Sequence, residues 1–268
     1  MKKFFFFIFF FKILIFQAYS QNACFLLSKK LKPYIEMVNG FSENYQGKVR
    51  IYDLSESEFF TSSLKSCDIA ISAGNKANNF LKKAEKINKK IFTFLIYKNE
   101  AENFIKDNQS FAIYLYPPPE KWLPFFKKEK INYLIAPYSN KKVKTYLKKA
   151  SAIFKNKNIN LKIIKTDVFD KFEAILKTNK KAVLWMLPDN LYSSVDIINY
   201  LIEKATFFKM RTIGFNTYFY KAGATYSIVI NYKKIGNVIK NRFLKNIDCK
   251  VVNAPFNFLG INNETKSK

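Results

Sequence analysis

The chain has 268 residues, 49% of them hydrophobic, and a formal charge of +26 at pH 7. That length suits two lobes of modest size, each able to bury a substantial core. The chain lacks histidine, the commonest general base and metal ligand, and its three cysteines (Cys24, Cys67, Cys249) show no CxxC spacing, so neither a metal site nor a cofactor is expected. The lysines are spread in pairs along the whole chain, Asn, Ile, Phe and Tyr are abundant beside them, and no nucleic-acid module is recognisable, so the charge reads as compositional bias and no nucleic-acid partner is expected.

Taken in chain order, the first element is an export signal over residues 1–20. Lys2 and Lys3 precede Phe4–Phe16, apolar apart from Lys12, and Ala18-Tyr19-Ser20 supplies the small residues of a cleavage site. The apolar run is about 13 residues, short of the roughly 20 that span a bilayer as a helix. The mature chain is thus expected to begin near Gln21 in an extracytoplasmic or periplasmic compartment. A lipid anchor on Cys24 is the alternative; Gln21-Asn22-Ala23 lacks the apolar residue of a lipoprotein cleavage box. An odd cysteine count leaves at least one thiol unpaired, and the spacing does not say which residues pair.

Short apolar runs then recur as strands at 23–27, 49–53, 69–73, 91–96 and 111–116, with a helical face at Ala77, Phe80, Leu81 and Ala84. Pro117-Pro118-Pro119 fits neither a helix interior nor a central strand and marks a boundary. The alternation restarts with strands at 131–136, 161–164, 182–187 and 212–215. Helical faces follow at Val143, Tyr146, Leu147 and Ala150, at Phe169, Phe172 and Leu176, and at Val195, Ile198, Ile202 and Ala205. Ser193 with Asp196 reads as a helix start. The pattern is α/β: two parallel-sheet lobes with helices on both faces. One is expected over 21–121 plus about 221–247, the other over 122–220 plus about 248–268.

Open parallel sheets bind ligands past the carboxyl ends of their strands. The candidates there are Ser28, Ser72, Gly74, Asn75, Tyr97 and Asn99 in the first lobe, and Tyr138, Ser139, Asp189, Asn190 and Asn216 in the second. Gly74 lets backbone approach a ligand, and the helix start behind it can receive a carboxylate. Asp189 is the expected counter-ion for a ligand ammonium; Tyr97 or Tyr138 could stack on an aromatic part. For Ser72 and Ser139 helix capping is an equal reading, and Asn75 and Asn216 also read as turn formers. Trp185 reads as core.

Several stretches in order carry a resemblance: CDIAISAGNKA (67–77), IFTFLIYKNE (91–100), PPPEKWLPFFKKEKINYLIAPYSN (117–140), AVLWMLPDN, TIGFN, YKAGATYSIVINYKKIG and FLGINNETK (258–266). Together they resemble the ABC-transporter substrate-binding proteins of the tryptophan and aromatic amino-acid group. The resemblance implies a two-lobed type I periplasmic-binding-protein fold with a ligand cleft between the lobes. It further implies a monomer that binds a small molecule and partners an ABC permease with its ATPase. An exported ligand sensor of the same fold, which hands its state to a membrane receptor rather than a transporter, would use the same cleft. An α/β enzyme is the weaker alternative, because the chain has no Gly-x-Ser-x-Gly elbow and no phosphate loop.

Overall fold

The computed structural model describes residues 21–56, 61–84, 87, 89–105, 110–166, 170–244 and 250–260. Residues 1–20, where the export signal is expected, Phe169, Cys249 and the residues beyond 260 lie outside them. The chain divides into two compact units. One holds the described residues up to Leu95, then Ala101–Ile113 and Tyr232–Val251; the other holds Ile96–Glu100, Tyr114–Asn231 and the described residues from Val252 on.

In the first unit the strands are β1 (Ala23–Leu27), β2 (Val49–Asp53), β3 (Ile69–Ala73), β4 (Lys89–Leu95) and β5 (Ser110–Tyr114), with a short late strand, β11 (Val251–Asn253), at the edge. Their order is β11-β5-β4-β3-β1-β2, and β1 runs parallel to both β2 and β3. Every residue of β1 and β3 is buried. A parallel strand covered on both faces must be apolar throughout, which is why these runs are continuous rather than alternating. The helices are α1 (Lys32–Ser42), α2 (Asn75–Lys83) and α9 (Tyr232–Leu244). Gly40 and Gly236 let α1 and α9 meet backbone to backbone: a Cβ on Gly236 would lie 2.0 Å from the carbonyl oxygen of Met37. Cys24 on β1 and Cys67, just ahead of β3, form a disulfide across neighbouring strands, with a Cα–Cα distance of 5.8 Å. With its sulfur bonded to Cys67, Cys24 has no thiol to offer a lipid.

The second unit holds β6 (Tyr133–Tyr138), β7 (Asn160–Lys165), β8 (Val183–Trp185), β9 (Thr212–Gly214), β10 (Tyr226–Ile230) and β12 (Phe256–Gly260), in the order β12-β10-β9-β8-β6-β7. All pairings are parallel except β10 with β12. The short helix α3 (Lys98–Glu102) follows β4, and α4 (Leu123–Lys128), α5 (Lys141–Lys155), α6 (Asp170–Thr178), α7 (Val195–Phe207) and α8 (Thr217–Lys221) belong with the second sheet. Side chains alternate between two cores. Leu134, Ala136, Val183 and Trp185 enter one cluster, while Ile135 and Leu184 enter the other, as the two-residue period of a strand requires. Trp185 is core, as its place in an apolar run implies.

The unit boundaries differ from the sequence expectation in four places. Ile96–Glu100 and Tyr114–Lys121 belong to the second unit, because Tyr97 and Tyr116 pack against Tyr146 and Trp122. Residues 221–231 also stay there, since β10 pairs with β9 and β12. Lys250 and Val251 fall in the first unit, where the Ala112 amide donates to the Lys250 carbonyl. A fifth difference is local: Ser194, not Ser193, caps α7, its hydroxyl accepting from the Ile197 amide at 3.2 Å. No described helix is long and apolar enough to cross a membrane.

Candidate functional site

Each sheet has a topological switch point, where the chain leaves one strand for the neighbour on one side and later adds a strand on the other. It falls between β1 and β3 in the first unit and between β6 and β8 in the second. Such points open a crevice at the carboxyl ends of the strands. In both units a side chain bridges that crevice, but by different chemistry.

In the second unit the bridge is Asp189. Its carboxylate accepts from the Ser139 amide at 3.0 Å, the Ser139 hydroxyl, the Asn140 amide at 3.3 Å and the Leu191 amide at 2.9 Å. A carboxylate offers about four acceptor sites, so these four donors occupy it. Asp189 caps the 3-10 turn Asn190–Tyr192 and ties it to the loop after β6; it is placed as a fastener rather than as the free counter-ion expected of it. Ser139 shares that role. Asn190 is exposed as the first residue of that turn, and Asn216 caps α8 through the amides of Tyr218 (2.8 Å) and Phe219 (3.3 Å).

The two candidate stacking residues are packed inside the same unit. Tyr138 is 7% and Tyr97 3% exposed, and the Tyr97 hydroxyl donates to the Pro188 carbonyl at 3.1 Å. The Tyr97 ring lies 5.7 Å from Tyr116 and 5.2 Å from Tyr146, and Trp122 and Trp185 meet edge to face at 5.2 Å. Burial, and then the nearby Asp189 charge, hold the Tyr97 and Tyr192 phenols well above their usual range. Burial does the same for Tyr116 and Tyr146. Tyr116 Oη and Trp185 Nε1 face one another without reaching hydrogen-bond geometry. Ring packing holds this block together.

In the first unit the bridge is Ser28. Its hydroxyl accepts from the Ala77 amide at 2.9 Å, and its own amide donates to the Ala73 carbonyl at 2.9 Å. Ser28 thus caps α2 from the neighbouring strand, because the N-cap residue, Gly74, has no side chain to do so. Gly74 has φ +87°, a conformation that favours glycine, and a Cβ there would lie 2.5 Å from the Tyr34 hydroxyl. Asn75 is exposed at the start of α2, so the Asn75 and Lys76 amides precede the one held by Ser28. Ser72 is turned inward. It is fully buried and donates to Asn78 Oδ1 at 2.7 Å, in a network that continues through Asn78 Nδ2 to the Thr93 carbonyl at 2.9 Å.

Three residues that sequence reasoning passed over complete this rim. Tyr34 on α1, Phe94 near the end of β4 and Tyr232 at the start of α9 form a half-buried aromatic row, with ring centroids 4.4 Å (Tyr34–Phe94) and 5.6 Å (Phe94–Tyr232) apart. Phe94 has φ +61°, rare for a bulky side chain and costly by about 1–3 kcal/mol. The aromatic content of the 91–97 stretch was visible in the sequence. The backbone conformation that turns Phe94 toward its partners was not.

A groove of about 730 Å³ lies elsewhere, at the amino-terminal end of the second sheet, with Leu123, Pro124 and Ile131 among its apolar lining. Within the second unit it lies at the opposite end of the strands from Asp189, Ser139 and Asn216.

No protein-family model and no curated protein sequence matches the chain. Among solved structures it resembles a ligand-free, open substrate-binding protein with adhesive properties from Clostridium difficile (TM-score 0.71, 13% identity, 92% of this chain and 94% of that one). It also resembles an ABC domain in complex with L-Trp from Streptococcus pneumonia (0.57, 14%, 91% and 93%). A third similarity is to a LacI family transcriptional regulator from Arthrobacter sp. FB24 in complex with lactose (0.54, 8%, 89% and 97%). The fold is therefore that of the type I periplasmic binding proteins, which transport proteins and regulators share.

Proposed function

We propose that the chain is an exported solute-binding protein that captures a small molecule, an amino acid with an aromatic side chain being favoured, and delivers it to an ABC permease. The observation that carries this reading is the first-unit rim. There a helix amino terminus with two amides ahead of its bridged one stands beside the aromatic row Tyr34–Phe94–Tyr232. Oriented amides suit a carboxylate, and half-buried aromatic faces suit an aryl group. The L-Trp complex among the similar structures supports the ligand class. The Cys24–Cys67 disulfide supports an oxidising compartment, in line with the leader-like residues 1–20. Ser28, Gly74 and Asn75 shape this rim, and Asp189 keeps the second sheet's loops in place.

A sensor or regulator that reads a small ligand is the second reading, favoured by the lactose-bound regulator of the same fold. Thermal-shift measurements against amino acids, sugars and nucleosides separate the ligand classes. Stabilisation by aromatic amino acids supports the proposal; a shift with sugars alone contradicts the ligand class. Amino-terminal sequencing of the native protein tests export, and an intact Met1 in a cytoplasmic fraction contradicts it.

A further inference from the structure

The parallel strands β6–β10 bring the turns that feed them to one edge of the second sheet, opposite the rim. Those turns are strongly basic. Lys127, Lys128 and Lys130 precede β6, Lys155 and Lys157 precede β7, and all five are exposed. Exposed Lys180 and Lys181 precede β8, and exposed Lys209 precedes β9. The acidic group closest in sequence, Glu129, accepts from the Tyr226 hydroxyl at 2.8 Å with one oxygen and lies 3.9 Å from Lys128 Nζ with the other, offsetting one of these charges in part. At the opposite edge, the segments between β8 and α7 and between β9 and α8 contain no lysine at all.

Helix carboxyl ends favour nearby cations, and Lys127 and Lys155 each stand in the last turn of a helix. That accounts for Lys127 and Lys128 at α4 and Lys155 at α5, but not for Lys130, Lys157, Lys180, Lys181 and Lys209 in the turns. Nor does it account for Phe207, which is 76% exposed at the end of α7 between Lys204 and Lys209. Beside it, Lys180 stands over the Phe208 ring at 5.9 Å. The groove of about 730 Å³ opens on the same edge, with an apolar floor that includes Phe126 and Ile159 and with Lys127, Lys130 and Lys157 in its lining. The groove belongs to the face that carries Phe126 and Phe154, whereas α7 packs on the other face with Ile135 and Leu184, so the aromatic part of the patch is Phe207 with Lys180, Lys181 and Lys209 around it.

We propose that this edge of the second unit docks on an anionic lipid surface, with Phe207 entering the headgroup layer and the flanking lysines drawn to the phosphates. An exposed aromatic among lysines fits a surface that is anionic outside and apolar beneath, whereas a soluble acidic partner would need only the charge. The proposal concerns the second unit, whereas the solute-binding rim belongs to the first, and it stands or falls separately from that reading.

The test uses the chain starting at Gln21, which keeps both sheets and both cores and omits the apolar leader. Its co-sedimentation is measured at about 0.1 M salt with phosphatidylcholine vesicles and with vesicles containing 30% phosphatidylglycerol. Binding at least tenfold stronger to the anionic vesicles is expected, with circular dichroism confirming that each variant is folded. The triple variant Lys180→Glu, Lys181→Glu, Lys209→Glu should lose about tenfold or more, and Phe207→Ser about two- to fivefold. The equal-charge control Lys29→Glu, Lys48→Glu, Lys65→Glu, on the first unit, should lose much less. Equal losses from both triple variants would show an effect of net charge alone and overturn the proposal. So would indifference to lipid charge, or Phe207→Ser binding like the parent while polyglutamate competes fully.

Discussion

The carboxyl-end rims of the two sheets begin from the same topology and close it differently. Around the β6/β8 switch point a carboxylate gathers four donors, and the neighbouring aromatic side chains are packed away from solvent. Around the β1/β3 switch point a single hydroxyl accepts one amide, and the aromatic row beside it stays half-buried around a strained Phe94. One rim is fastened; the other keeps surface and strain in reserve. A crevice that the fold creates is therefore not by itself a binding site: what the side chains have left to offer decides.

The comparison breaks most sharply along the disulfide. Reducing Cys24–Cys67, whose residues are 43 apart in sequence, should destabilise the first unit by about 4 kcal/mol on chain-entropy grounds. Both tryptophans, Trp122 and Trp185, lie in the second unit, so fluorescence follows that unit. Urea melts should show the far-UV circular dichroism transition moving to lower urea while the tryptophan transition stays in place.

Asp189→Ala should do the reverse, lowering the tryptophan transition by about 3 kcal/mol, because it leaves several donors in a nearly closed site without an acceptor. Asp189→Asn keeps the shape and part of the acceptor capacity and should cost less. Ser28→Ala removes only the bridge to α2 and should destabilise the first unit by about 1 kcal/mol in the same melts.

The smallest effect is one of pH. Tyr97, Tyr116, Tyr146 and Tyr192 are held protonated by burial in the folded chain, whereas in the unfolded chain they ionise near pH 10. Above that pH the unfolded state binds fewer protons than the folded state, so stability falls as pH rises and is unaffected by these groups below it. Absorbance at 295 nm should show these four phenols ionising only together with unfolding.

Much of the strand pattern was legible in the residues, the contrast between the rims was not, and the reasons are physical. β1, β2 and β3 occupy the runs expected of them, since an apolar segment bounded by polar turns has few other ways to be buried. The return strand β10 was missed because SIVI, short and followed by a helical pattern, does not announce which sheet it joins. Asp189 was correctly placed at a strand end, but a rim carboxylate looks the same in sequence whether it faces a ligand or caps a turn. Its partners, Ser139 and Asn140, lie about 50 residues away in the chain. The Cys24–Cys67 pairing and the positive φ of Phe94 are tertiary facts with no local signature.

The central claim is that ligand contact falls to the aromatic row of the first unit and not to Asp189. Purifying the protein without denaturation, identifying the released molecule by mass spectrometry and titrating it back calorimetrically tests this directly. The account predicts that Phe94→Ala raises Kd by at least about tenfold, the loss of a principal aromatic contact, while folded Asp189→Asn binds as the parent does. A Kd unchanged in Phe94→Ala and raised in Asp189→Asn would contradict it.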